Sequence, residues 1–396
     1  MAFNRRTFTI SILGILGGCL VGGLIAGLVY VFVIDKNKKE VILENVADKE
    51  SYIRERTFSL KFNTSLYTDP STGNRVKTSL YGTSWIFNKA LNKEVYYLAT
   101  NIHVISNAVS LQHDQTNRYQ IADYIESVEL GYPNNPKVVS QTDDLSSEMF
   151  NTRAKFPKIA YTSSFVETTP TYPIPIQISA NTNFYSYAMT DLAILEFDFS
   201  STTDSFKNFL KYYNLNPTKF FSPQLGSNNY AQQNYFIGGY PYIKPDPNQS
   251  PQFGTWGFDN SINEEVGIIS GTIISSVWDS PLFRPTGVVL PNDITTNQAV
   301  DQLRYFQNIS NQITITNIDL TGGSSGSMVI NDNNEVMGIY WGAYISRNGT
   351  LIRGAFDILN TGSYSTLFPN NVIGSRYNAY NRVEEANSII STLPPF

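Results

Sequence analysis

Residues 319–342 read DLTGGSSGSMVINDNNEVMGIYWG, and this stretch decides the fold. Two short apolar segments flank the Asn-rich residues 331–334, which is the pattern of a β-hairpin. Just before the hairpin, residues 323–326 fit the pattern Gly-x-Ser-Gly. Such a turn can expose a serine hydroxyl and point backbone N–H groups at one spot, where a negatively charged oxygen can develop. Ser325 is the serine with Gly two residues before it and Gly directly after it. It is therefore the candidate nucleophile, and a plain Gly/Ser-rich loop is the alternative.

Two further segments carry candidate catalytic side chains. Residues 95–105 (VYYLATNIHVI) form an apolar strand that runs into His103, which the strand would hold rigidly enough to act as a general base. The second histidine, His113, lies in a polar run, and we assign it no role. Residues 190–199 (TDLAILEFDF) place Asp191 at the start of another apolar strand. From there its carboxylate could accept a histidine ring N–H and stabilise the imidazolium. Each residue alone is as well explained by an ordinary structural role, so the hypothesis depends on their combination.

The rest of the chain has the pattern of an all-β protein. Short segments rich in β-branched and aromatic residues recur, with Asn, Gly, Pro and Ser between them.

Aromatic residues make up 13 % of the 396 residues and charged residues 15 %, which excludes a disordered polyelectrolyte. The net charge of −5 argues against nucleic acid as a partner, because no excess of cations can neutralise phosphates. Only residues 379–390 have clear helical spacing, and the polar stretches 112–185, 200–230 and 277–308 are expected to be surface insertions with a few added strands or short helices.

The N-terminal region predicts attachment to a membrane. Residues 7–34 contain no charge and are long enough to cross the hydrocarbon core as a helix. Residues 35–54 are charge-rich and are expected to form a juxtamembrane linker. Residues 16–19 (LGGC) also resemble a lipobox, so lipid modification of Cys19 is the alternative to a signal anchor. Cys19 is the single cysteine, which excludes an intramolecular disulfide, and no metal or other cofactor is implied.

The chain resembles the chymotrypsin-like serine peptidases. The order His103, Asp191, Ser325 is the order of that superfamily. The local contexts LATNIHV, DLAIL and GSSGS are similar to its histidine strand, aspartate strand and nucleophile loop. Within that superfamily, the chain most resembles the mycoplasma immunoglobulin protease family. The shared features are the anchor, the low cysteine content, the long insertions and the local sequences TNIHV and GGSSGS. Two departures from the superfamily pattern are Ser324, in place of an acidic residue or Asn, and Ser327, in place of a second Gly.

This resemblance implies an all-β, two-barrel chymotrypsin-like serine protease fold with long insertions, preceded by an N-terminal transmembrane helix. The protease domain would span residues 55–396, with a first barrel over about 55–200 and a second over about 230–375. The first barrel would supply the histidine and the aspartate. The second would supply the serine.

The resemblance also implies the roles of the site residues. Ser325 would attack a peptide carbonyl, His103 would take its proton, and Asp191 would orient His103. The N–H groups of Gly323 and Ser325 would form the oxyanion hole. The backbone that pairs with an extended substrate is expected at Trp341, Gly342 and Ala343.

The function that follows is that of a membrane-anchored serine endopeptidase with its catalytic domain outside the cell. The family implies protein or peptide substrates, host immunoglobulin heavy chain among them, presented by a separate immunoglobulin-binding protein. Three alternatives remain open at this point. They are a non-catalytic immunoglobulin-binding or adhesin module on the same scaffold, a quality-control protease, and an esterase that uses the same triad.

Overall fold

A computed structural model describes much of the chain beyond the N-terminal segment. The described residues are 48–65, 67–68, 75–76, 79–113, 119–137, 145–163, 174–179, 182–186, 190–222, 234–241, 256–262, 272–274, 306–308, 312–316, 318, 320, 322–345, 351–360 and 381–394. The predicted membrane segment 7–34 and Cys19 lie outside these residues. No helix in the ranges just given is long and apolar enough to span a bilayer.

Strands form most of the regular structure in the described part of the chain. In the first half they are β1 (Thr57–Thr64), β2 (Tyr67–Thr68), β3 (Arg75–Val76), β4 (Ser79–Lys89), β5 (Val95–Thr100), β6 (Val109–His113), β7 (Tyr119–Ile121), β8 (Ile125–Pro133), β9 (Leu145–Phe150), β10 (Lys158–Thr162), β11 (Ile174–Ser179), β12 (Thr182–Ser186) and β13 (Ala193–Asp198). In the second half they are β14 (Lys219–Phe220), β15 (Asn234–Gly239), β16 (Gly257–Ile262), β17 (Thr272–Ile274), β18 (Phe306–Asn308), β19 (Gln312–Thr316), β20 (Met328–Ile330), β21 (Glu335–Ile345) and β22 (Leu351–Ile358). Helices are α1 (Ile102–Ile105), α2 (Asp204–Leu215) and α3 (Arg382–Thr392), with 3-10 turns at Ser106–Ala108 and Arg153–Lys155.

The first large sheet has seven antiparallel strands in the order β10-β13-β5-β4-β1-β8-β9. Alternation along β1 buries Phe58, Leu60 and Phe62 on one face, where each is fully excluded from solvent. The aromatic rings of α2 complete this core, because Phe206 and Phe209 lie 5.7 and 5.3 Å from the Phe58 ring. Aromatic side chains of β1 and α2 thus form part of the core on which β5 and β13 lie.

The second large sheet has strand order β16-β15-β20-β21-β22-β19, and β14 pairs with β21 in parallel. Its β20–β21 hairpin turns at residues 331–334, as the Asn-rich sequence predicts, and Asn334 takes a φ of +60° there. Together the two sheets confirm the prediction of a predominantly β fold.

A compact unit begins at Lys49, ahead of the boundary at residue 55 that the sequence predicts. Residues 48–54 form a further helical segment, in which Tyr52, Ile53 and Arg54 are buried. Ile53 is fully buried, and a Cβ at Gly238 of β15 would lie only 2.9 Å from its methyl group. Arg56 is also fully buried and donates through Nε to the Tyr52 carbonyl at 2.7 Å.

One of the two longer helices lies where the sequence predicts a helix, and the other lies in a stretch where the sequence predicts a surface insertion. Helix α3 begins inside the predicted segment 379–390, at Arg382, and ends two residues beyond it. Helix α2 forms inside the polar stretch 200–230, where the sequence predicts a surface insertion with a few added strands or short helices. Its buried apolar face makes this stretch part of the core rather than only of the surface. Thr203 caps α2 by accepting the Phe206 N–H at 3.3 Å.

Candidate active site

His103 and Asp191 meet next to the paired ends of β5 and β13, where Thr100 pairs with Ala193. β5 ends at Thr100, and His103 lies three residues further on, in the short helix α1 rather than in the strand itself. Its Nδ1 lies 2.5 Å from Asp191 Oδ2, and its main-chain N–H donates to Asp191 Oδ1 at 3.2 Å. The Asp191 side chain is 2 % exposed and that of His103 is 25 % exposed. The buried carboxylate is thus satisfied by two donors of His103, which fixes the imidazole in one orientation.

The backbone of Asp191 is held from both sides. The Asn101 side-chain amide donates to the Asp191 carbonyl at 2.6 Å. The Asp191 N–H donates to Asp357 Oδ2 at 2.7 Å, and Asp357 is a fully buried residue of β22 in the second sheet. Sequence reasoning missed both partners, although an aspartate inside the apolar segment LIRGAFDI is unusual for a buried strand. Asp357 therefore links the second sheet to the aspartate of the first.

The nucleophile loop, residues 322–327, has the turn that the Gly-x-Ser-Gly pattern predicts. Gly323 and Gly326 have φ of +94° and +93°, a region that side-chain-bearing residues rarely adopt. Of the three serines, Ser325 is partly exposed, whereas Ser324 and Ser327 are fully buried. The loop therefore presents Ser325 to solvent and turns its two neighbouring serines inward.

Hydrogen bonds give the two flanking serines and Ser325 different surroundings. The Ser327 hydroxyl donates to the Ser324 carbonyl at 2.6 Å, which closes the turn. The Ser325 hydroxyl donates to the Trp341 carbonyl at 3.2 Å. The unusual Ser327 of the sequence is thus a structural residue that stabilises the loop. Ser325 keeps a long, easily exchanged hydrogen bond.

Close contacts seat the nucleophile loop next to the residues that lead to His103. A Cβ at Gly326 would lie 2.0 Å from the Thr83 carbonyl oxygen and 2.7 Å from the Thr100 hydroxyl. One residue before Thr83, a Cβ at Gly82 would lie 2.3 Å from a methyl group of Val104, the residue after His103. Glycine at these positions therefore allows the loop, β4 and α1 to approach closely.

Strand β21, which follows the β20–β21 turn, has a stretch next to the nucleophile loop where one side pairs with no strand of the described chain. β21 pairs with β20 as far as Ile339, and with β22 as far as Ile345. The register with β22 shifts between Tyr340 and Gly342, so Trp341 forms a bulge. A Cβ at Gly342 would meet no atom within 4 Å. In the described chain, no strand pairs with β21 beyond Ile339 on the β20 side.

No metal centre is built by the residues that the structure describes, because they contain no group of three or more His, Cys, Asp or Glu side chains placed to hold an ion. The chemistry available at the site is that of a hydroxyl, an imidazole and a buried carboxylate. This set suits acyl transfer to a serine with the imidazole as general base.

Comparisons with known proteins give one family and several relatives. The model of the family described as mycoplasma immunoglobulin protease matches residues 47–342. An uncharacterized lipoprotein of Mycoplasma pneumoniae is 26 % identical over 355 residues, which cover 74 % of this chain and 64 % of that protein. A second uncharacterized lipoprotein of the same organism is 24 % identical over 334 residues, or 68 % of this chain and 72 % of that protein. The chain thus spans less than two thirds of the first of these relatives.

Two solved structures are also similar. A structure of the mycoplasma MIB and MIP proteins aligns over 90 % of this chain and 65 % of that chain, at 15 % identity and a TM-score of 0.43. An HtrA-type protease with a decapeptide aligns over 79 % of this chain and 63 % of that chain, at 10 % identity and a TM-score of 0.36.

Proposed function

This chain belongs to the mycoplasma immunoglobulin protease family, and we propose that it is a serine endopeptidase attached to the membrane with its catalytic domain outside the cell. The observation that carries the proposal is the contact of His103 Nδ1 with the buried Asp191 carboxylate at 2.5 Å, beside a loop that exposes Ser325. In this proposal the two large sheets are the two barrels of a chymotrypsin-like fold. The first supplies His103 and Asp191, and the second supplies Ser325.

The proposed reaction starts when the Ser325 hydroxyl turns from the Trp341 carbonyl toward the imidazole of His103. His103 takes the proton as Ser325 Oγ attacks the substrate carbonyl, and it later gives that proton to the leaving amine. Asp191 stays ionised and stabilises the imidazolium that forms. The N–H groups of Gly323 and Ser325 would stabilise the oxyanion, and each such donor contributes about 2.7–4 kcal/mol in comparable sites.

The proposed substrate is an extended stretch of protein that adds as a strand to β21. The backbone of Trp341, Gly342 and Ala343 would pair with it on the side that β20 leaves open. The absence of a side chain at Gly342 supports this, since the space above that residue is open. The description of the family favours immunoglobulin as the substrate. We also propose that the heavy chain is cleaved and that a separate immunoglobulin-binding protein presents it.

Attachment to the membrane would come from the N-terminal segment. The relatives in Mycoplasma pneumoniae are described as lipoproteins, which favours a lipid on Cys19 over a signal anchor at residues 7–34. The two modes are separated by Cys19→Ser, because this change removes a lipid label but leaves an uncleaved anchor in place.

The proposed function is tested by incubating the protein with immunoglobulin and, separately, with a denatured protein, and reading the products by mass spectrometry. Wild type should cleave and Ser325→Ala should not. Ser324→Ala is the matched control, because the Ser324 hydroxyl is buried without a hydrogen-bond partner among the described residues, so its loss should leave cleavage intact. Cleavage of the denatured protein alone would reject immunoglobulin as the substrate, and equal cleavage by Ser325→Ala would reject the mechanism.

A further inference from the structure

Thr83 lies between the two groups of residues that form the proposed site. It is a fully buried residue of β4, next to the Gly82 that packs on α1. On its other side it faces the nucleophile loop and the end of β15. A Cβ at Gly239, the last residue of β15, would lie 3.0 Å from the Thr83 hydroxyl. Thr83 therefore contacts both sheets at the point where the site is assembled.

Every polar group of Thr83 is used in a hydrogen bond. Its N–H donates to the Ser325 carbonyl at 2.8 Å, and its own carbonyl accepts the Thr100 hydroxyl at 2.8 Å. The Thr83 hydroxyl donates to the Gly323 carbonyl at 3.0 Å and accepts the Tyr240 N–H at 2.9 Å. Because an amide N–H can only donate, the Tyr240 contact leaves the Thr83 proton to the Gly323 carbonyl.

These bonds fix the nucleophile loop at two carbonyls on either side of the Ser325 amide. The Gly323 carbonyl is held by the Thr83 side chain, and the Ser325 carbonyl is held by the Thr83 backbone. Between them lies the peptide whose N–H belongs to Ser325. Gly323 has no Cβ, so its peptide planes can rotate more freely than those of other residues, and its φ of +94° uses this freedom. A fixed carbonyl restrains these planes.

We infer that Thr83 is a positioning residue of this site, whose hydroxyl holds the nucleophile loop in the shape that directs the oxyanion donors. The inference rests on the proposed serine peptidase function. Thr83 does not touch the reacting atoms. It acts through Gly323 and Ser325.

The substitution that isolates the hydroxyl is Thr83→Val, which keeps the branched shape. It leaves the Gly323 carbonyl and the Tyr240 N–H buried with a methyl group in place of their partner. Thr83→Ser restores the hydroxyl and removes only the methyl group. Thr57→Val is the matched control, because Thr57 is equally buried and its hydroxyl donates to the Ile53 carbonyl at 2.8 Å, away from the loop.

Two measurements on these variants test the inference. Thr83→Val should lower kcat about tenfold to hundredfold with KM within about twofold, because the lost contact acts on the transition state. The pH dependence of kcat/KM should not move, since the pair of His103 and Asp191 is untouched. Amide hydrogen exchange at residues 322–327 should become faster in Thr83→Val, while Thr83→Ser and Thr57→Val should resemble wild type in both measurements.

Several results would overturn the inference. One is equal kcat and equal exchange at residues 322–327 in Thr83→Val and Thr57→Val. Another is a loss in Thr83→Ser as large as in Thr83→Val, because the hydroxyl would then not be the cause. A wild-type protein without hydrolase activity would reject the proposed function instead. The exchange comparison would still decide whether the Thr83 hydroxyl orders the loop.

Discussion

Asp191 has both its side chain and its backbone held by neighbours from different parts of the chain. The carboxylate contacts His103, whereas its N–H donates to the buried Asp357 of the other sheet. A change of a few tenths of an ångström at Asp191 moves the imidazole with it. Asp357 does not contact the imidazole in either hydrogen bond, but it is expected to control the placement of the imidazole through Asp191.

Asp357→Ala should lower kcat about tenfold to hundredfold. It leaves the buried Asp191 N–H without an acceptor, which costs about 1–3 kcal/mol of folding stability. We expect the Asp191 backbone to shift and the His103 ring to move with it, and about 1.4 kcal/mol of lost transition-state stabilisation corresponds to a factor of ten in kcat. Asp357→Asn keeps a carbonyl oxygen at this place and should retain more activity. Steady-state kinetics of the two variants would measure this.

The control for that pair is Asp198→Ala, at the far end of β13. Asp198 accepts the Ser200 N–H at 2.8 Å in an exposed turn, so its loss should leave kcat unchanged. If Asp357→Ala were as active as Asp198→Ala, the second sheet would have no part in placing Asp191.

Helix α2 is the element that joins the first sheet to the rest of its core. Its apolar residues Phe206, Phe209, Leu210 and Tyr213 have the spacing of one helical face, and all four are buried. Thr203 closes its N-terminus, and the Thr203 hydroxyl also donates to Glu148 of β9 at 2.6 Å. The cap therefore ties the helix to the edge of the sheet.

Thr203→Ala should lower the free energy of unfolding by about 1–2 kcal/mol, since it removes a helix cap and a partner of Glu148. Ser205→Ala is the control, because Ser205 is exposed within the first turn of the same helix. Urea unfolding of both variants measures the difference. Equal stability of the two would show that the cap is not needed.

The sequence predicts those parts of the site that depend on local pattern, and it does not predict those that depend on distant contacts. The turn around Ser325 needs glycines next to a serine, and those residues are adjacent in the chain. Thr83 and Asp357 escape notice because their partners lie 240 and 166 residues away. Helix α2 has the apolar spacing of an amphipathic helix, but the many Asn, Ser, Thr and Pro residues around it favour a surface insertion.

At the scale of the whole molecule, buried tyrosines set a limit to stability at alkaline pH. Burial raises the pKa of Tyr213 to about 12, and the nearby Arg56 guanidinium opposes that rise. Burial likewise raises the pKa of Tyr235 and, against the opposing charge of Arg54, that of Tyr240. The unfolded chain ionises near pH 10, before these folded tyrosines do. Their contribution to stability is therefore complete below about pH 10 and is lost as the pH rises through the higher folded values.

The free energy of unfolding should accordingly fall between about pH 10 and pH 12, by up to about 1.4 kcal/mol per pH unit for each such tyrosine. Urea unfolding at a series of pH values measures the slope. Tyr235→Phe removes one ionisable group and should make the slope shallower. A free energy that stays constant from about pH 9 to pH 12 would contradict this account.

The central claim is that Ser325 is a nucleophile activated by the pair of His103 and Asp191. The most direct measurement is labelling of the intact protein with a fluorophosphonate, followed by identification of the labelled residue by mass spectrometry. The account predicts a label on Ser325 in wild type and in Ser324→Ala, and loss of that label in His103→Ala and Ser325→Ala. A wild-type protein that takes no label, or a label that persists unchanged in Ser325→Ala, would contradict it.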